Sequence, residues 1–121
     1  MTVAMVGVVA VIAVLAVAVA ALGTLYAARA QATNAADAAA LAAAVSSYPP
    51  ASSLPPLTAA RQAAEANGAV VVACRCRRDP ALHDRTVEVV ATITVKVPIF
   101  GDVQVRSTAR AEFDPLLWLG R

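Results

Sequence analysis

The pattern of apolar and polar positions divides the chain into three regimes. Residues 2–28 carry no charged side chain and are dominated by Val, Ala and Leu ("VVAVIAVLAVAVAALGTLYAA"). A bilayer core of roughly 30 Å needs only about 20 helical residues, so this run is long enough to span. Its β-branched residues do not oppose a helix, because a lone segment in lipid has no partner strands with which to close a barrel. In residues 30–47, "AQATNAADAAALAAAVSS", Asp37 is the one ionised side chain. Alanine is the strongest helix former and leaves the thinnest helix, so the helix is expected to continue to about Val45. On this projecting part Asn34, Asp37 and Leu41 share one side. Ala32, Ala35, Ala36, Ala39 and Ala43 form a smooth stripe suited to close packing on a sheet or another helix.

"SSYPPASSLPP" stops the helix, because paired prolines at 49/50 and 55/56 favour extended backbone. Thr58 is expected to cap a short helix over residues 59–67, with Gly68 as its left-handed stop. The period then changes to two. Val70, Val72, Cys74 and Cys76 share one strand face. Val87, Val89, Ala91, Ile93, Val95 and Val97 alternate with Thr86, Glu88, Val90, Thr92, Thr94 and Lys96. After a turn at "PIFGD", Val103, Val105, Ala109, Ala111 and Phe113 point inward on a third strand. Short connections make an antiparallel meander the most economical sheet, with the short helix and the alanine rod as its covers.

The expected fold class is therefore α+β, a lollipop with one long N-terminal helix and a small head. It comprises a transmembrane helix (1–28), an Ala-rich helical stalk (29–47), a Pro-rich connector (48–57), a small head with a short helix and a three-stranded antiparallel sheet (58–114), and an apolar C-terminal tail (115–121). A cleavable leader is the rival for the first segment, since "Ala28-Arg29-Ala30" would allow cleavage before Gln31 and yield a secreted soluble protein that binds an extracellular partner. The apolar run exceeds the usual 7 to 15 residues and no basic residue precedes it, which favours a retained single-pass anchor. Arg29 alone gives little guidance on orientation.

The charges add little chemistry. The closest basic cluster, Arg75, Arg77 and Arg78, is answered by Asp79 and Asp84 and is not interleaved with aromatics, so no nucleic-acid partner is expected. Cys74 and Cys76 have three readings. They are unpaired thiols on an apolar face, which is favoured, or a disulfide, or half of a metal site with His83 as third ligand and no evident fourth. A direct disulfide is disfavoured because strand residues two apart place their Cα atoms near the upper limit of disulfide geometry. His83 lacks a recognisable nucleophile and sits in a polar loop, and no glycine-rich phosphate loop is present. The chain reads as a non-enzyme with no cofactor, metal or small-molecule substrate. Leu116, Leu117, Trp118 and Leu119 are too few to span but suit the membrane interface, a partner's groove, or a fold-back over the head's own core.

An apolar N-terminal helix followed by "RAQATNAADAAALAAA", then "AARQAAEANGAVVVACR", then strands ending in "VRSTARAEFDP" resembles the TadE-like (TadE/TadG) proteins of actinobacterial Flp-type (Tad) pilus loci. The residues that carry the resemblance are Asn34, Ala36, Asp37, Ala38, Leu41, Asn67 and Gly68. The resemblance implies a minor pilin or pseudopilin in the cell membrane, packed by its helix against other pilus or secretion-system subunits, with its head outside. One departure stands out. With Gly7 at the processing site, Ile12 falls at the fifth mature position, where pilin precursors carry glutamate. An uncleaved membrane component, or residues missing upstream, would account for this.

Overall fold

A computed structural model describes residues 1–120, so Arg121 of the expected tail lies outside the described residues. The elements are α1 (Thr2–Ser46), α2 (Pro56–Ala66), β1 (Val70–Arg75), β2 (Arg85–Val97), β3 (Gly101–Phe113) and α3 (Pro115–Leu119). The sheet is an antiparallel meander in the order β1-β2-β3. Its helices and strands make an α+β fold.

α1 is a single 45-residue helix, roughly 67 Å long at 1.5 Å per residue. Residues 1–20 are exposed throughout, and Ala21 is the first buried position. Beyond it, Ala28, Ala32, Ala35, Ala36, Ala39, Ala40, Ala43 and Ala44 are buried together with Val87, Val89, Ala91 and Ile93 of β2 and Ala109 and Ala111 of β3. The alanine stripe is thus consumed within the chain by its own sheet and α2. It packs the head rather than a neighbouring subunit.

Three contacts fix the direction of the β2–β3 hairpin along α1. At the far end the Phe113 ring lies 6.0 Å from that of Tyr48, just past α1. Midway, Ser107 Oγ donates to Thr33 Oγ1 at 3.3 Å. At the near end Ile99 and Phe100 lie beside Ala13, Val14 and Val17. Each strand has 13 residues, roughly 43 Å at about 3.3 Å per residue, which matches the covered part of the helix.

The inward faces of β2 and β3 follow the sequence alternation, whereas β1 does not. A bulge between Val71 and Ala73 changes the phase, so Val71 pairs with Ala91 and Cys74 with Val89 over the core, leaving Val70 and Val72 exposed. The short helix begins earlier than expected, with Pro56 in its first turn and Pro55 before it. Proline is preset for that position, and Thr58 makes no cap. Its end is as expected. Gly68 has φ 73°, its N–H donates to Glu65 O, and the Ala69 N–H donates to Ala64 O. The connector does not space two bodies apart. It turns sharply, with the Ala51 N–H donating to Tyr48 O, and returns α2 against α1.

Because Ala36 is fully buried under the sheet, Ala36→Leu forces extra methylenes into a filled seam. It should cost about 1–3 kcal/mol in denaturant unfolding of the detergent-solubilised protein.

Candidate functional site

Alanines at helical spacing turn one side of α1 into the sheet, which leaves the opposite side free. Asn34, Asp37, Leu41 and Val45 are exposed there, and Leu41 keeps 62% of its surface. This ridge carries three of the residues behind the family resemblance. The others have internal positions: Ala36 is buried and Ala38 half-buried. Asn67 and Gly68 close α2, where Gln31 Nε2 donates to Asn67 O at 3.0 Å and a Cβ at position 68 would meet that nitrogen at 2.7 Å. The Gln31 contact ties α2 to α1.

At the end of the head away from the N-terminal apolar segment, Asp114 accepts the N–H groups of Leu116 and Leu117 and starts α3. Trp118 lies edge-on to Tyr48 at 6.0 Å, while Leu116, Leu117 and Leu119 are more than half exposed. The tail therefore both caps the head, through Trp118, and presents leucines to the outside. Residues 21–46 of α1, roughly 39 Å of helix, separate it from the uncovered apolar segment.

Arg85 organises the remaining loop. Its Nη1 donates to Ser47 O at 3.0 Å and to Asp79 O, its Nη2 donates to Ala81 O, and the guanidinium sits 5.6 Å from the Tyr48 ring centre. The Asp79 N–H also donates to Ser47 O at 2.9 Å. A cleft of about 480 Å³ opens beside this loop, lined by Arg75, Cys76, Arg77, Asp79 and His83 among others. His83 is solvent-exposed with its Nε2 3.8 Å from Asp79 Oδ2.

Cys74 and Cys76 are joined as a disulfide, and their Cα atoms are 5.3 Å apart. The unpaired-thiol reading assumed an extended strand through both residues. β1 instead ends at Arg75, and the bend beyond it brings the two Cα atoms within ordinary disulfide range. Sulfurs bonded to each other do not hold a metal, and no three His, Cys, Asp or Glu side chains converge among the described residues.

Gln31 and Tyr48 escaped sequence reasoning because each acts over a long separation, and Arg85 because its partners are backbone carbonyls, which carry no sequence signal. Only the position of Arg85 at the first residue of an alternating run hinted at a role. Ile99 and Phe100 were read merely as part of a turn.

The fold and surfaces define a class: a protein with one uncovered apolar helix, a small head packed along the continuation of that helix, and surfaces suited to assembly. Residues 1–46, the whole of α1, match the family model described as "Putative Flp pilus-assembly TadE/G-like". The similarity lies in the N-terminal helix, where the sequence resemblance to that family is also found. No curated protein and no solved structure matches the chain.

The Asp79 carboxyl is held below its ordinary value, chiefly by the Ala81 N–H, with His83 and Arg85 adding attraction. A depressed folded-state pKa favours folding of the carboxylate form. The contribution is complete above the unfolded value of about 3.9 and is lost as pH falls through the lower folded value. The protection of the Ala81 amide, its exchange rate taken relative to the intrinsic rate at the same pH, should therefore drop upon acidification below about pH 4, and Asp79→Asn should remove that drop.

Proposed function

We propose that this chain is a minor pilin-like or pseudopilin-like structural component of a Tad (Flp) pilus or secretion apparatus, anchored by α1 with its head on the outer side of the membrane. The observation that carries the reading is the continuity of α1. One helix, matched in full by the pilus-assembly family model, begins as a bare apolar segment and ends as the core helix of the head. Residues 2–20 supply roughly 28 Å of uncovered helix, close to the thickness of a hydrocarbon core.

In this role the apolar segment holds the protein in lipid and can pass into a bundle of similar helices, since both surroundings are apolar and the alanines interspersed among its valines permit close approach. The free ridge of Asn34, Asp37, Leu41 and Val45 is the side-on contact. The exposed leucines of α3 are the contact at the outer end. The secreted alternative requires cutting before Gln31, inside an unbroken helix whose Ala28 and Ala32 are both buried under the head. That arrangement favours the retained anchor.

Leu41→Asp tests the ridge. Because Leu41 is exposed, head stability should change by no more than about 0.5 kcal/mol, while co-purification of the membrane-extracted protein with its pilus subunits should be lost. Unchanged co-purification would sink the ridge assignment. Mass spectrometry of the mature N-terminus from membranes and medium tests the anchor, and medium-borne chains beginning at Gln31 would overturn it.

A further inference from the structure

We propose that the β2–β3 tip, through Ile99 and Phe100, enters the hydrocarbon of the bilayer beside α1 and gives the head a second attachment to lipid; this rests on the anchored reading above. Ile99 and Phe100 are 84% and 74% exposed at a tight reversal closed by the Phe100 N–H donating to Val97 O at 3.2 Å. Ile99 has φ 74°, a conformation that β-branched residues rarely adopt and that a water-facing hairpin gives to Gly, Asn or Asp. Two adjacent large apolar side chains, left exposed at a turn where water-facing hairpins carry small or polar residues, make poor sense in water. They make sense in lipid.

Depth along α1 gives the independent argument. Ile99 and Phe100, with Ala13, Val14, Val17 and Ala18, line a cleft of about 350 Å³ that has no polar side chain in its wall. A core of about 30 Å needs about 20 helical residues. Even the placement nearest the N-terminus therefore puts Val14 and Val17 in hydrocarbon, and the tip is level with them. Any placement further along α1 sinks the tip deeper.

The flanking chemistry sets a limit to that depth. Lys96 and Asp102 face each other one step behind the tip, and no charged side chain lies between them. Pro98 brings no N–H and the Phe100 N–H is taken by Val97 O, which reduces the backbone donors that the tip carries into lipid. Tyr26, exposed and five residues beyond Ala21, falls at headgroup level, where tyrosine is enriched. The occupant is lipid acyl chain, because the tip continues the apolar surface of the spanning segment itself.

The test uses the full-length chain in phosphatidylcholine–phosphatidylglycerol vesicles, with or without brominated acyl chains, and reads tryptophan quenching. Two variants, each also carrying Trp118→Phe, place the single tryptophan at the tip (Phe100→Trp) or in the anchor (Leu15→Trp). Both replace exposed residues, and the wild type reports from Trp118, roughly 40 Å along the hairpin from the tip. The expected result is blue-shifted emission quenched about two-fold or more at positions 100 and 15, and no quenching at Trp118. Quenching at 15 without quenching at 100 overturns the tip insertion and leaves the anchor standing. Blue-shifted but unquenched emission at 100 overturns it in favour of cover by another copy of the chain. No quenching at either position overturns the anchored reading as well.

Discussion

The architecture depends on the close approach of a sheet to a helix surface made almost entirely of methyl groups. Ala32, Ala35, Ala36, Ala39 and Ala43 are all fully buried, in one cluster with Val87, Val89, Ala91, Ala109 and Ala111 of the sheet and Ala60 and Ala64 of α2. Larger residues on either side would push the layers apart, whereas alanine brings β2 and β3 against α1 for most of their length. Helix and hairpin thereby become one rigid body. The cost is modest burial per contact, since each methyl-sized group contributes only about 0.8 kcal/mol.

A core of small side chains explains why polar ties recur around its edge. Gln31 holds the end of α2, Arg85 gathers the carbonyls of Ser47, Asp79 and Ala81, and the Cys74–Cys76 disulfide closes the bend after β1. The first two join segments far apart in the chain, and the third pins a local bend. Among the described residues, aromatic packing falls at the end of the head away from the N-terminal segment, where Tyr48 meets Phe113 and Trp118 and the Arg85 guanidinium lies over the Tyr48 ring. The seam sets the geometry, and these contacts hold its ends.

How much of this was legible in the sequence follows from the range of the forces involved. The helix through residue 46, the β2 and β3 alternation and the Gly68 stop are local or periodic, and their patterns can be read directly. The start of α2 was misplaced because Thr58 looked like a cap, while the preset backbone of Pro56 began the helix earlier. The face of β1 was inverted by a single bulged residue, which no period-two reading anticipates. Whether the alanine stripe met its own sheet or another subunit was left open by the sequence, since a smooth surface suits both. Of the candidate site, the Asn34–Asp37–Leu41 side followed from helical spacing. The tie from Gln31 to Asn67, 36 residues away, did not.

The seam also fixes a distance. The hairpin is rigidly parallel to α1, with Ile99 and Phe100 at one end and the leucines of α3 at the other, roughly 40 Å apart along the strands. A head tethered through a flexible linker would sample many heights above the membrane. Here the chain has no such freedom, because α1 passes unbroken from the bare apolar segment into the core of the head. The α3 surface is consequently presented at one height and with one orientation relative to the anchor helix. In the role proposed above, that constraint favours docking at a defined level, since the ordering that would otherwise oppose it is already built into the fold.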